Sequence, residues 1–186
     1  MSISTLILVI DRSFVLSPHE LRFLICSRLG IPGLCNEGDK CFVCKVPMDS
    51  MGYHMAVCQK AGSFCHRHNS LRDIIYDFCK NAALSPVREA HCFPDAPLLR
   101  ADVFLPRGGN VSPGGVALDV TVIHPLQDAI LSKSSKASLQ GCLHGENGKH
   151  KKYDGHCDSE NIMLIPLAGE FFGCWGGEAT NFFAEV

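Results

Sequence analysis

Apolar positions recur at helical spacing twice in the first half of the chain. Leu21, Leu24, Ile25 and Leu29 follow Ser17-Pro18-His19-Glu20, which sets Ser at an N-cap, Pro at N1 and Glu at N3; Gly30 and Pro32 then stop the run. From His68 to Leu84 the period returns, with Leu71, Ile74, Ile75, Phe78 and Ala82 on one face, Arg72, Asp73, Asp77 and Lys80 largely elsewhere, and Pro86 as the stop. The pattern then becomes extended, over 87–92, 98–105 and 116–124. The last two runs are separated by Arg107-Gly108-Gly109-Asn110 and Ser112-Pro113-Gly114-Gly115, a turn signal between hydrophobic strands. Residues 126–154 read as a weak helical stretch that Gly141, Gly145 and Gly148 interrupt. Residues 161–169 read as a buried strand, and Gly176-Gly177 leads into a short C-terminal segment. Helix, three strands, helix, strand is the order of an α/β domain.

Two stretches stand apart from this pattern. Residues 31–65 carry turn residues, little periodicity and the cysteines Cys35, Cys41, Cys44, Cys58 and Cys65. Too few apolar residues are present there to make a core, as in a small domain held by a ligand. The first eleven residues suggest a short strand or the start of a truncated region. The apolar run Ser4–Ile10 lacks a basic flank and is closed by Asp11-Arg12, so it fits neither a signal peptide nor a membrane span. An intracellular, reducing compartment is therefore expected, where Cys and His clusters are metal ligands or buried thiols rather than bridges. The composition agrees: 11 cysteines, an odd count, and 9 histidines in 186 residues argue against a closed disulfide framework. With 46% hydrophobic residues the chain is long enough for one ordinary domain and an appendage, and a net charge of −2 excludes a strongly basic nucleic-acid-binding arm. Any contact with DNA or RNA must come from local patches.

Cys41-x2-Cys44-x9-His54-x3-Cys58 brings four soft or borderline ligands into 18 residues. A C-x-x-C knuckle lets two thiolates converge on one ion, and His and Cys four apart on a helical turn supply the other two corners of a tetrahedron. Pro47, Asp49 and Gly52 permit the reversal between the halves. Structural zinc on Cys41, Cys44, His54 and Cys58 is the expectation, with Cys35 or Cys65 as substitutes for one ligand. A lone C-x-x-C would leave ordinary buried thiols in front; the matched H-x-x-x-C decides against them.

Two aspartates interrupt apolar strands. Asp102 lies in Leu98–Leu105 and Asp119 in Val116–Ile123, where alternation puts Ala117, Asp119 and Thr121 on one face and Leu118, Val120 and Val122 on the other. A carboxylate in sheet interior needs a cation, hydrogen-bond donors or a metal. If the strands form a hairpin, both carboxylates can face one side and make an oxygen site suited to Mg²⁺ or Mn²⁺. The plainer alternative pairs Asp102 with Arg100 or another base and has Asp119 cap a strand end.

These residues, in this order, resemble the restriction-like endonuclease domain at the C-terminal end of non-LTR retrotransposon reverse transcriptase polyproteins, within the PD-(D/E)XK nuclease superfamily. The resemblance runs over residues 13–178 and includes the CCHC knuckle, Arg67-His68-Asn69, Asp102 in Arg-Ala-Asp, Leu118-Asp119-Val120, Lys149-His150-Lys151-Lys152-Tyr153 and Pro166-Leu167. It implies a helical segment at 1–34, a zinc knuckle at 35–65 and, at 66–186, a restriction-endonuclease-like core with a central mixed sheet flanked by helices. It implies Mg²⁺ or Mn²⁺ on Asp102 and Asp119, with Glu89 assisting. The superfamily lysine, two residues after the second acid, is here Thr121, so Lys149, with Lys152 as second choice, is carried over from the next helix. Arg67, His68 and Arg72 are the implied phosphate contacts. The activity implied is metal-dependent hydrolysis of a DNA phosphodiester at a target site, with DNA, element RNA and a reverse transcriptase in trans as partners and the nucleus as the location. The chain opens on its own methionine and carries no polymerase motif, as a detached tail of such an element would. The alternative is a catalytically inactive remnant that binds nucleic acid or protein through the knuckle.

Overall fold

A computed structural model describes residues 17–186 apart from 37, 59, 61, 62 and 107–111. The run at residues 4–10 and the first half of the expected 107–115 turn lie outside the described residues. The chain divides into two units, Met1–Ala56 and Val57–Val186.

In the first unit, α1 (Pro18–Leu29) begins as its sequence dictates. The Ser17 hydroxyl accepts from the Glu20 N–H and the Glu20 carboxylate accepts from the Ser17 N–H, a complete capping box. Gly30, at φ 63°, closes the helix in the left-handed conformation that glycine adopts without a Cβ clash. The helix buries none of its residues. Further on, Lys40 bridges Pro47, the Cys41 N–H donates to the Val46 carbonyl and Lys45 turns with φ 64°, so that Cys41–Cys44 sits at a hairpin tip. The one-turn helix α2 (Tyr53–Val57) follows. Its exposed amides are held by Asp49, whose carboxylate accepts from the Met51, Tyr53 and His54 N–H groups.

The second unit is built on α3 (Ser63–Asn81), β1 (Val87–Ala90), β2 (Ala101–Leu105), β3 (Val116–Ile123), α4 (Leu131–Ser134), α5 (Gln140–Glu160), β4 (Met163–Glu170) and α6 (Gly177–Glu185). The four strands lie in sequence order, β1-β2-β3 antiparallel and β3-β4 parallel, with α5 as the crossover. Pro166 falls in β4, an edge strand, where a missing N–H costs the ladder little. The other half of the β2–β3 turn forms as expected, with the Gly115 N–H donating to the Ser112 carbonyl.

The sheet separates two apolar clusters. Leu118, Val120, Val103 and Leu105 pack with Ile75 and Cys79 of α3 and with Ala179 and Phe182 of α6. Ala117, Ala101 and Leu164 pack with Phe93 and with Tyr153 and Cys157 of α5. Burial pushes the Cys79 thiol up to about 11, and those of Cys142 and Cys157 to about 12, so these are core thiols rather than nucleophiles. Among the described residues no helix is long and apolar enough to cross a membrane.

The short segment after Gly176-Gly177 is a helix, α6. The sequence reading is corrected in one place here: the stretch that glycines were expected to interrupt is a continuous helix of 21 residues. Two of the glycines let α5 approach the sheet. A Cβ on Gly145 would sit 2.9 Å from Thr121 Cγ2 and 3.1 Å from Ile123 Cγ1, and one on Gly141 would sit 2.9 Å from Glu170 Oε1, which accepts the Gly141 N–H. Gly148 and Gly155 face open space. Gly148→Ala and Gly155→Ala are therefore expected to stabilise the fold by up to about 1 kcal/mol each through helix propensity. Gly145→Ala should lower stability despite the same gain, because the neighbouring side chains must move. Denaturant midpoints of the three variants check this ordering.

The α5–α6 contact carries a pH dependence. His150 donates toward Asp154 one turn along α5 and toward Glu178 of α6, both at 2.8 Å. Partial burial lowers its pKa, but these two carboxylates together outweigh that and leave it raised. A raised folded-state pKa contributes stability that is complete below the unfolded value near 6.5 and is lost as pH rises through the folded value. The melting temperature of His150→Gln should thus fall below wild type at pH 5.5, and the gap should close by pH 8.5.

Candidate metal sites

Cys41, Cys44, His54 and Cys58 bring one ligand atom each to within 4.8 Å of one another, and Cys44 Sγ lies 3.0 Å from His54 Nε2. Among the described residues this is the one such group of three or more. Cys35 and Cys65 are not in it. The hairpin tip presents the two knuckle thiols and α2, anchored by Asp49, presents the imidazole. The Cys44 N–H is the main influence that brings the Cys41 thiol down to about 6, with the Val43 N–H adding to it against burial; such a sulfur is ready to bind as thiolate. Burial alone would raise Asp49, but the N–H groups it caps hold it low, so it stays charged as an anchor. Three thiolates and one imidazole in this spacing suit a tetrahedral metal ion such as zinc, with no position left for substrate.

A second constellation lies on the sheet. The β2–β3 register pairs Val103 with Leu118 and Phe104 with Ala117. The ladder ends at the Val103–Leu118 pair, next to Asp102 on one strand and Asp119 on the other. There the carboxylate of Asp102 itself accepts the Val120 N–H, at 2.7 Å. The same oxygen, Oδ2, lies 3.1 Å from His68 Nε2 near the start of α3. Asp119 is 3% exposed and ion-paired through Oδ2 with the ammonium of Lys149. Lys149 is one turn beyond Gly145, whose missing side chain lets α5 lie against Thr121. Burial is the main cause that raises the Asp119 pKa, with the negative charge of Asp102 adding to it against the pull of Lys149. The hydrogen bond to Asp102 raises His68 against its own partial burial.

The remaining sequence candidates make other contacts. Glu89, in β1 at φ 48°, is ion-paired with Arg72, which also donates to Asp73 at 3.0–3.1 Å. Arg72 is thus largely committed within the protein. Arg67 lies 6.0 Å from the Phe171 ring centre, beside the stacked His124–Phe171 pair. Lys152 donates to the Tyr153 hydroxyl at 2.9 Å, and that hydroxyl donates to the Arg100 carbonyl at 3.2 Å. Tyr153 is the residue that spacing missed. It belongs to the second apolar cluster and interacts with Asp119, and burial followed by that carboxylate pushes its pKa far up, so it stays a neutral phenol. Its position four residues after Lys149, on the same helix face, was the available signal.

The fold and the clusters define an α/β protein with a mixed four-stranded sheet flanked by helices and a Cys/Cys/His/Cys cluster fit to chelate a metal ion. Comparison with protein-family models, with curated proteins and with solved structures finds no match.

Proposed function

We propose that this protein is a metal-dependent DNA endonuclease of the PD-(D/E)XK type with a structural zinc knuckle, as at the end of a retrotransposon polyprotein. The observation that carries the reading is the meeting of three side chains from three elements: Asp102 of β2, Asp119 of β3 and Lys149 of α5. The order helix, three antiparallel strands, helix, parallel strand supports it, as does Lys149 reaching the acid from the crossover helix when Thr121 occupies the usual lysine position.

Two buried carboxylates with hard oxygen donors fit Mg²⁺ or Mn²⁺, and Asp102 and Asp119 would hold the ion. When bound it supplies Lewis acidity toward the phosphodiester and lowers the pKa of its water. Asp102 is held jointly by the Val120 N–H and by His68, so its orientation is fixed before substrate arrives. Lys149 offers a positive charge beside Asp119, suited to orienting the attacking water and balancing charge that develops on the phosphate oxygens. Tyr153, buried beside Asp119, forms part of the wall of the site. Glu89 is kept for an assisting role only if it leaves Arg72. DNA is the proposed substrate; contacts from Arg67 to backbone phosphate are the proposed means of holding it.

An end-labelled DNA duplex incubated with the zinc-loaded protein tests the activity. New shorter fragments are expected with Mg²⁺ and none when Mg²⁺ is chelated. Salt-dependent binding with no fragment under either condition would instead support the inactive nucleic-acid-binding module.

A further inference from the structure

The resemblance makes His68 a phosphate contact, but its ring is turned toward Asp102. Its Nε2 lies 3.1 Å from Asp102 Oδ2, its Nδ1 faces Asn69 Oδ1 at 3.4 Å, and the Arg72 guanidinium reaches that same Asn69 oxygen at 3.4 Å. Arg72 is in turn fixed by Asp73 and Glu89. The chain of contacts therefore runs from β1, through the first turns of α3, to the carboxylate in β2. Both donors that reach Asp102, His68 Nε2 and the Val120 N–H, converge on Oδ2. Oδ1 receives no hydrogen bond among the described residues.

We infer that His68 is the positioning residue of the cation site: by holding Asp102 Oδ2 against β3 it fixes the carboxylate plane and reserves Oδ1 for the divalent ion. The inference rests on the reading of Asp102 and Asp119 as cation ligands and adds to it a residue that touches neither ion nor DNA. Hydrogen bonds to a ligating carboxylate of this kind typically carry 10–100-fold in metal affinity. Asn69 and Arg72 hold the ring, so the effect of His68 is steric and directional.

Two variants separate positioning from a structural tether between α3 and the sheet. In His68→Ala the carboxylate keeps only the Val120 N–H and can rotate. In His68→Gln an amide N–H can reach the same oxygen. Mn²⁺ binding to the zinc-loaded protein, read by the loss of the free Mn²⁺ electron paramagnetic resonance signal, should give one site in wild type and none in Asp119→Ala. His68→Ala should weaken that site about 10–100-fold, and His68→Gln should recover most of the loss. Nicking should follow the same order, with the Mg²⁺ concentration for half-maximal rate rising in His68→Ala while the rate at saturating Mg²⁺ changes less. Equal Mn²⁺ affinity in wild type and His68→Ala overturns the inference and leaves the cation site standing. A weakening in both variants with no recovery by Gln also overturns it, since any loss of packing would do the same. Absence of a Mn²⁺ site in wild type overturns the inference together with the reading beneath it.

Discussion

Removing zinc, by chelation or by Cys44→Ser, is expected to unfold the knuckle region. Among residues 17–60 whose exposure is described, only Cys41, Gly52 and Cys58 are buried, and two of those three belong to the Cys/Cys/His/Cys cluster. Leu21, Leu24 and Ile25 of α1 are each about half exposed (48%, 47% and 47%), so no apolar core takes over when the ion leaves. In small domains of this kind the zinc-binding free energy, about 10–16 kcal/mol in finger peptides at neutral pH, is the folding free energy. One zinc per chain is expected by elemental analysis of wild type and none in Cys44→Ser, and protease should cut within residues 30–58 only when zinc is absent. The sheet unit has its own two apolar clusters, so its cooperative melting should survive. A chain that resists protease equally with and without zinc would count against the knuckle.

Lys149→Met should be the most damaging single change in the sheet unit. It leaves the Asp119 carboxylate 3% exposed with no cation beside it. Stranding one member of a buried ion pair costs about 3–5 kcal/mol. Asp119→Asn removes the charge that needs compensation, and Lys149, whose side chain is 21% exposed, can turn toward water. Its stability cost should be smaller. The double variant should recover most of the stability lost in Lys149→Met, which a double-mutant cycle on urea midpoints reads directly. Nicking separates from this. Loss of the lysine should lower the rate by about 10²–10³-fold, as removal of one positioned charge-stabilising donor does elsewhere, and the stable double variant should stay inactive. A double variant as unstable as Lys149→Met would show that Lys149 supports the fold by packing rather than by pairing.

The parts of this architecture that depend on local chemistry were legible in the chain. The Ser17–Glu20 capping box, the Gly30 stop, the Leu71 and Ile75 stripe of α3, and the knuckle spacing each act within a few residues, whereas Ile74 and Phe78 of the expected apolar face are exposed. The alternation Ala117–Asp119–Thr121 against Leu118–Val120–Val122 also decides its own faces. Longer-range facts were not legible. Gly141 and Gly145 look like breaks by propensity, yet they lie in α5 because Thr121 and Glu170, far away in sequence, occupy the space their side chains would need. Tertiary packing overrides propensity there. Lys149 comes from the resemblance alone, because the same glycines argue locally against the helix that carries it. The pairing of Arg72 with Glu89 and the inward turn of His68 come from the sheet's register with α3, which no local pattern specifies.

The most direct measurement of the central claim is nicking of supercoiled plasmid in Mg²⁺ by the zinc-loaded wild type beside Asp119→Ala, with zinc content and folding matched. Wild type is expected to convert the plasmid to open circles at a rate that depends on Mg²⁺, and Asp119→Ala to leave it supercoiled. Nicking at the same rate by both, or by neither, would contradict a nuclease built on Asp102, Asp119 and Lys149.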